Sequence, residues 1–399
     1  MTPKGYFDRS VGANIPEFIL NHVAQIRPES PLYLTSEQDL TDTARIFTSE
    51  FRGNTLYAVK ANPDKAVIQT LCKNGVRSFD VASLEEVKRV KRYAPKAKLY
   101  FMHPVKSPEA IKAAYFDFGV RTFVIDTTEE LYKIIRETGM AQDLEIFVRL
   151  ALPKNETAAI DFAAKFGASP ELTAQLLKMA RPMVKNLGIS FHVGTQTLDP
   201  SVYTRAIDCA ASVIKSSGVK VDSLDVGGGF PVAYPGQVPP PLSTYFQAIE
   251  LGMDKNDLQG LALLAEPGRY LVAESTWLCV RVEQRRDDIL YLNDGTYGGL
   301  FDAGPALKGR FPVAYVSQGG CKITEPLRPF RFAGPTCDSL DMMDGPFMLP
   351  DNIRTGDWVV VGNMGAYSQA LRSNFNGFGR CDTLWIARKE YKEGMGALI

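Results

Sequence analysis

The chain predicts an α/β protein: a (β/α)8 barrel followed by a separate all-β domain, a Greek-key-like barrel or sandwich. Two observations carry this reading. From about residue 54 to about residue 270, eight short β-rich runs alternate with amphipathic, helix-patterned segments. Past that point the alternation stops, and strand-like runs are separated by Gly, Pro and Asp turns. An open doubly wound sheet is the competing arrangement that alternation alone admits.

Taken in order, residues 1–35 contain the strand-like "SPLYLT" and are assigned to the β domain. Residues 36–270 form the barrel. Its strands read "TLYAVKA", "SFDVA", "KLYFM", "TFVID", "EIFVRL", "GISFHV", "SLDVGGG" and "LALLAEPG", with helical segments such as "LEEVKRVKRY" and "TTEELYKIIRETG" between them. The Pro-rich "PGQVPPPL" is a surface loop before the last barrel helix. Residues 271–399 complete the β domain through "WLCVRVEQ", "DILYLN", "PVAYV", "RFAG" and "DWVVVGN".

Composition narrows the function. With 399 residues, 45% apolar and 23% charged, the chain has ample material for a large core. Zero net charge argues against a nucleic-acid or membrane-surface partner. No apolar run is long enough to span a membrane, and the N-terminus lacks a secretory leader's apolar stretch. Six cysteines, dispersed without CxxC spacing, read as reduced thiols of a cytoplasmic protein. His22, His103 and His192 are the three histidines, so no His-rich metal site is expected.

Barrel active sites lie at the C-terminal strand ends. Here those ends carry Lys60, Asp80, His103, Asp126, Arg149, His192, Asp225 with Gly227, Gly228 and Gly229, and Glu266 with Gly268 and Arg269. Asp126 reads as a helix N-cap. The glycines after strand seven and "EPGR" after strand eight read as a phosphate site: glycine lets backbone N–H groups approach an anion, and Arg269 adds a bidentate cation. A phosphate-bearing cofactor opposite a strand-end lysine suits pyridoxal 5'-phosphate. Lys60 would attack its aldehyde, and a semi-buried strand tip would favour the neutral amine that this needs. Glu266 would sit against the pyridine nitrogen and keep the ring protonated.

Seven motifs in order, "YAVKAN", "FDVAS", "FHVGTQ", "DVGGGFP", "AEPGRYLV", "GPTCDSLD" and "NMGAYS", resemble the fold-type III pyridoxal-phosphate decarboxylases, a family of alanine-racemase-like fold, and within it the ornithine/lysine decarboxylase branch. The resemblance implies Lys60 as the Schiff-base lysine, His192 stacked on the cofactor ring and Glu266 on its nitrogen. It implies Gly227, Gly228, Gly229, Gly268, Arg269, Thr195 and Tyr367 around the phosphate, with Asp80 and Arg149 near the ring hydroxyl and the lysine. It also implies a homodimer with shared active sites. Cys337 would enter from the other subunit to protonate the product carbon, Asp338 would meet the substrate's distal ammonium, and Lys165 would pair with Asp341 across the interface. The implied reaction is decarboxylation of a basic L-amino acid, L-ornithine to putrescine first, with lysine or 2,4-diaminobutyrate as alternatives. An apolar substrate would leave Asp338 buried without a partner.

Two departures bear on the substrate. The usual aromatic–Asp pair after "DGxYG" is out of register, which leaves Asp302 as the nearest acid, and His103 stands where Asn is more usual. Three rival readings are weighed. A racemase would want Arg at the pyridine nitrogen, where this chain has Glu266. Diaminopimelate decarboxylases usually carry Glu where this chain has Asp338. An antizyme-inhibitor-like regulator would be expected to lose cofactor contacts that are all present here.

Overall fold

A computed structural model describes residues 15–153, 165–319 and 326–386. Its contacts divide the described residues into two compact units, one of 43–231 with 239–271 and one of 15–42, 232–238 and 272–386.

Strand β1 (Leu32–Ser36) belongs to the second unit. The first unit is a closed barrel of eight strands: β2 (Asn54–Ala58), β3 (Ser78–Val81), β4 (Lys98–Phe101), β5 (Thr122–Ile125), β6 (Glu145–Arg149), β7 (Asn186–Ser190), β8 (Ser223–Asp225) and β9 (Ala262–Ala265). All neighbours are parallel, and β2 closes on β9 through Asn54 opposite Leu264 and Thr55 opposite Ala265. The predicted barrel is therefore the observed one, and the open sheet is excluded.

Local chemistry starts the helices between the strands. The side chains of Asp64, Ser83, Ser107, Thr127 and Ser169 each accept a first-turn N–H, a cap worth about 1 kcal/mol apiece. Thr127, not Asp126, caps its helix; Asp126 instead accepts the Gly167 N–H at 3.0 Å. The correction has a simple cause: a β-region residue one step closer to the helix reaches the N3 amide, and Thr127 fits that position. Leu56, Tyr100, Met102, Val124, Phe147 and Leu264 form a buried apolar cluster among the strands. Gly188 of β7 lets strands meet there, since a Cβ would lie 2.3 Å from the Phe147 ring.

The second unit is an eight-stranded sheet that adds β10 (Thr276–Arg286), β11 (Ile289–Leu292), β12 (Val313–Val316), β13 (Leu327–Ala333), β14 (Met342–Pro350), β15 (Trp358–Val361) and β16 (Asp382–Ile386). The order β12-β15-β10-β11-β13-β14 is mostly antiparallel; β11 and β13 pair in parallel. β1 pairs antiparallel with β10 and parallel with β16. Helix Glu17–Ile26 lays Phe18, Ile19 and Val23 against Leu34, Trp277, Trp358 and Val360 of this sheet. Cys72, Cys209, Cys279, Cys337 and Cys381 are free thiols, whereas Cys321 lies outside the described residues.

Candidate active site

The C-terminal mouth of the barrel is knit by its loops. The Ala58 amide donates to Pro267 O at 3.2 Å, the Glu266 amide to Gly227 O at 2.8 Å, and the Thr197 amide to Gly229 O at 3.1 Å. The Tyr203 hydroxyl donates to Gly228 O at 2.9 Å. These bonds join the end of β2 to the β9 loop, the β9 loop to the β8 loop, and the β8 loop to the β7 loop. Gly227 (φ 69°) and Gly229 (φ 108°) sit in the left-handed region, and a Cβ on either would fall 2.3 Å from Phe191 O and 2.5 Å from Gly194 O respectively.

Lys60 lies past β2, in the one-turn helix Val59–Ala61, and its side chain is exposed. The semi-buried strand tip expected from the sequence is thus an exposed turn. The strand stops at Ala58, and the lysine falls in the turn that follows it. Its ammonium still acts electrostatically on Asp80, His192 and Glu266.

Burial sets the charge states there. Asp80 is buried and its carboxyl is pushed above its usual range, an effect eased by the Lys60 and Arg149 charges. Asp225 is fully buried, accepts the Gly227 N–H at 2.8 Å, and is pushed up to about 7, chiefly by burial. Glu266 is driven well above its usual range by burial, then by the neighbouring Asp225 and Asp80. Burial, then the Lys60 and Arg149 charges, hold His192 well below its ordinary value, so the imidazole is neutral. Its Nδ1 accepts the Gly194 N–H at 3.0 Å, which leaves the proton on Nε2. Arg149, His192 and Glu266 line one small cavity with Met102, Val124 and Phe191.

The remaining barrel residues fall nearby in the chain. Thr195 is half-buried on the β7 loop, and Gly268 and Arg269 open the short helix Arg269–Val272 after Glu266. His103 Nδ1 accepts the Val105 N–H at 3.2 Å, and its ring meets Phe166 edge-on at 5.3 Å. Sequence reasoning missed Lys106, a fully buried ammonium that donates to His103 O at 2.8 Å and Val124 O at 2.7 Å and pairs with Glu130 at 3.0 Å. In "HPVKSPEA" it reads as a solvated loop lysine, and only the fold reveals its burial.

In the sheet unit, Cys337 is exposed and its amide donates to Asn376 Oδ1 at 3.1 Å. Asp338 accepts from the Tyr297 hydroxyl at 2.5 Å and from the Leu340 N–H at 2.9 Å. Those bonds, the backbone one first, hold its carboxyl below the usual range. Asp338 is therefore neither buried nor without a partner, because Tyr297 already occupies one oxygen; the expectation that an apolar substrate would strand it does not hold. Asp341 is buried and takes four bonds within its own chain, from the amide and hydroxyl of Thr296 and of Thr336. It thereby ties the Cys337 loop to the "DGTYG" turn. Asp302 is half-buried in the one-turn helix Phe301–Ala303. Tyr367 adopts a left-handed φ of 57°, uncommon for a bulky residue, next to Ser368, which the Tyr33 hydroxyl meets at 2.8 Å.

These features fit a pyridoxal ring. Glu266 Oε1 is buried with no donor among the described residues, which is what a protonated ring nitrogen would supply. A Cβ at Gly228 would lie 3.1 Å from His192 Nε2 and 2.8 Å from Glu266 O, so glycine keeps the space between these residues open.

Comparison with known proteins places the chain among relatives of one family. The family model for the pyridoxal-binding domain of pyridoxal-dependent decarboxylases matches residues 37–273. The chain is 32% identical over 402 residues to antizyme inhibitor 2 of Xenopus laevis, covering 92% of this chain and 83% of that protein. It is 31% identical over 335 residues to the lysine/ornithine decarboxylase of Selenomonas ruminantium, covering 82% of each. The crystal structure of the Paramecium bursaria Chlorella virus arginine decarboxylase superimposes with a TM-score of 0.81 at 28% identity, covering 93% of this chain and 100% of the other.

Proposed function

The chain belongs to the pyridoxal-dependent decarboxylases, and on that premise we propose that it removes carbon dioxide from a basic L-amino acid, L-ornithine first and L-lysine next, to give a diamine. Its cofactor is pyridoxal 5'-phosphate. The observation that carries the reading is the placement of Lys60, Asp80, Arg149, His192 and Glu266 at or just past the C-terminal parts of barrel strands, with Glu266 Oε1 buried and without a donor among the described residues.

Lys60 would hold the cofactor covalently through its amine. Bound there, pyridoxal phosphate supplies a sink for the electron pair that the departing carboxylate leaves on Cα. Glu266 would hold a proton on the ring nitrogen, and neutral His192 would cover one ring face. Asp80 and Arg149 would set the charge beside the ring hydroxyl and the lysine. Gly227, Gly228, Gly229, Gly268, Arg269, Thr195 and Tyr367 would take the phosphate. Cys337 would return a proton to Cα, while Asp338, ionised through its two hydrogen bonds, would attract a distal ammonium, with Asp302 adjusting its depth. The protein would act in the cytoplasm as a homodimer with shared sites; its five described thiols are free, and no described helix is long and apolar enough to cross a membrane.

A second reading, a regulator without turnover, is favoured by the likeness to antizyme inhibitor 2. Carbon dioxide release from L-ornithine, L-lysine, L-2,4-diaminobutyrate, L-arginine and meso-diaminopimelate separates the cases. The expected order puts L-ornithine first, with measurable activity on L-lysine, because one methylene is worth only about 1–3 kcal/mol of discrimination. Preference for diaminopimelate would reassign the branch, and preference for L-arginine would align the chain with the viral relative. Cofactor binding without any release would establish the regulator.

A further inference from the structure

Two carboxyls meet at the base of the mouth. Asp225 ends β8, Glu266 follows β9, and the two strands pair with Asp225 opposite Leu264. The Glu266 amide is fixed to Gly227 O at 2.8 Å, and Asp225 Oδ1 to the Gly227 amide at 2.8 Å, so both acids hang from one glycine. Asp225 is 0% exposed, and its carboxyl and that of Glu266 act on each other electrostatically. Asp225 Oδ2 and Glu266 Oε1 are both buried, and neither has a donor among the described residues. Two ionised carboxylates in that position would repel with nothing between them. One proton shared by the pair would serve both oxygens until a ring nitrogen reaches Glu266 Oε1.

We infer that Asp225 is a positioning residue for Glu266: the two carboxyls hold one proton between them, and Asp225 keeps it when Glu266 turns its charge to a pyridine nitrogen. Burial, and for Glu266 then the neighbouring acids, raises both groups in keeping with this. The other charged or titratable groups facing the pair are Asp80 on β3, Lys60 after β2, Arg149 on β6 and His192 after β7. Lys60 and Arg149 favour ionisation of the pair, and Asp80 opposes it. The Gly227 amide donates to Asp225 Oδ1, so Oδ2 is the oxygen left to carry the proton toward Glu266.

The inference rests on the pyridoxal-phosphate reading, and its test keeps the two apart. The probe is pyridoxine 5'-phosphate, which has no aldehyde to engage Lys60, titrated against the cofactor-free full chain across the neutral to alkaline range. Asp225→Asn keeps an N–H donor toward Glu266 and the acceptor for Gly227, whereas Asp225→Ala keeps neither. Wild-type affinity relative to Asp225→Asn should fall as pH rises past the ionisation of the pair, by up to about tenfold per pH unit, because only the wild type must then take up a proton to bind. Asp225→Asn should retain binding at neutral pH, and Asp225→Ala should lose at least about tenfold. A pH-independent ratio, or equal binding by the two variants, overturns the inference but not the family reading. Failure of the wild type to bind the probe at all sinks the reading of the site. Should a variant not fold, the cofactor-free wild type at neutral pH should show the infrared carbonyl stretch of a protonated carboxylic acid, and its absence overturns the inference.

Discussion

Gly228→Ala isolates the space between His192 and Glu266. The backbone at Gly228 is not left-handed, so alanine meets no conformational penalty there and its cost is one of room. The added Cβ would lie 2.8 Å from Glu266 O and 3.1 Å from His192 Nε2. The carbonyl is anchored in the chain, and the ring is held by the 3.0 Å bond from the Gly194 amide, so neither neighbour yields freely. Overpacking of this kind costs about 1–3 kcal/mol. If the strain is relieved by moving the His192 ring, the loss falls on cofactor affinity, roughly 5- to 150-fold. Titration with pyridoxal phosphate, read by quenching of intrinsic fluorescence, measures it directly. Gly227→Ala and Gly229→Ala are the contrast: both add left-handed strain and a Cβ within 2.3 Å or 2.5 Å of a carbonyl oxygen, so they should lower the unfolding temperature before any binding is measured. A Gly228→Ala protein that binds pyridoxal phosphate within about twofold of wild type would refute the spatial argument.

Borohydride reduction of the cofactor-loaded protein should place the pyridoxyl label on Lys60, and a label elsewhere removes the proposed anchor. If the sites are shared, mixing inactive Lys60→Ala with inactive Cys337→Ala subunits should recover activity once they exchange. Glu130 takes Lys106 at 3.0 Å and Lys133 at 2.6 Å, so Glu130→Gln should cost about 3–5 kcal/mol in urea unfolding, and a cost near zero would mean that the cluster is not holding the loop. Burial pulls Lys106 down from 10.5 to about 8. Between those values the unfolded chain holds a proton that the folded chain has lost, so stability should rise with pH over that window and the rise should vanish in Lys106→Met.

The barrel was legible because each strand is a contiguous apolar run with its own turn signal, and the site was legible where its residues sit inside such runs: Asp80 in "FDVAS", Glu266 in "AEPGR". What escaped depends on register between distant segments. β14 reads "MMDGPFMLP", with Gly and Pro in its interior, and only its pairing with β13 makes it a strand. β16 has no local signature beyond a few apolar residues and is defined by lying parallel to β1, more than three hundred residues earlier. Asp225 was visible as one polar tip among many. Its partnership with Glu266 appears only when β8 and β9 are set side by side.

The same juxtapositions bear on the proposal that Asp338 meets a distal ammonium. At the barrel mouth the acids are already engaged: Asp80 with the charges of Lys60 and Arg149, Glu266 with Asp225, Glu130 with Lys106 and Lys133, and Asp126 with the Gly167 amide. Freeing Glu130 to bind a distal ammonium would leave the buried Lys106 charge unpaired, at a cost of several kcal/mol, and the other pairings would each lose a buried polar contact. Asp338 differs, since it is partly exposed and its hydrogen bonds favour the ionised form rather than neutralising it. On that proposal, an arriving cation would exchange water for a carboxylate without stranding a buried group. If that proposal holds, changes in the 294–302 and 337–340 segments should shift the ratio of kcat/KM for L-ornithine to that for L-lysine. Changes to the barrel tips should alter cofactor handling for every substrate alike.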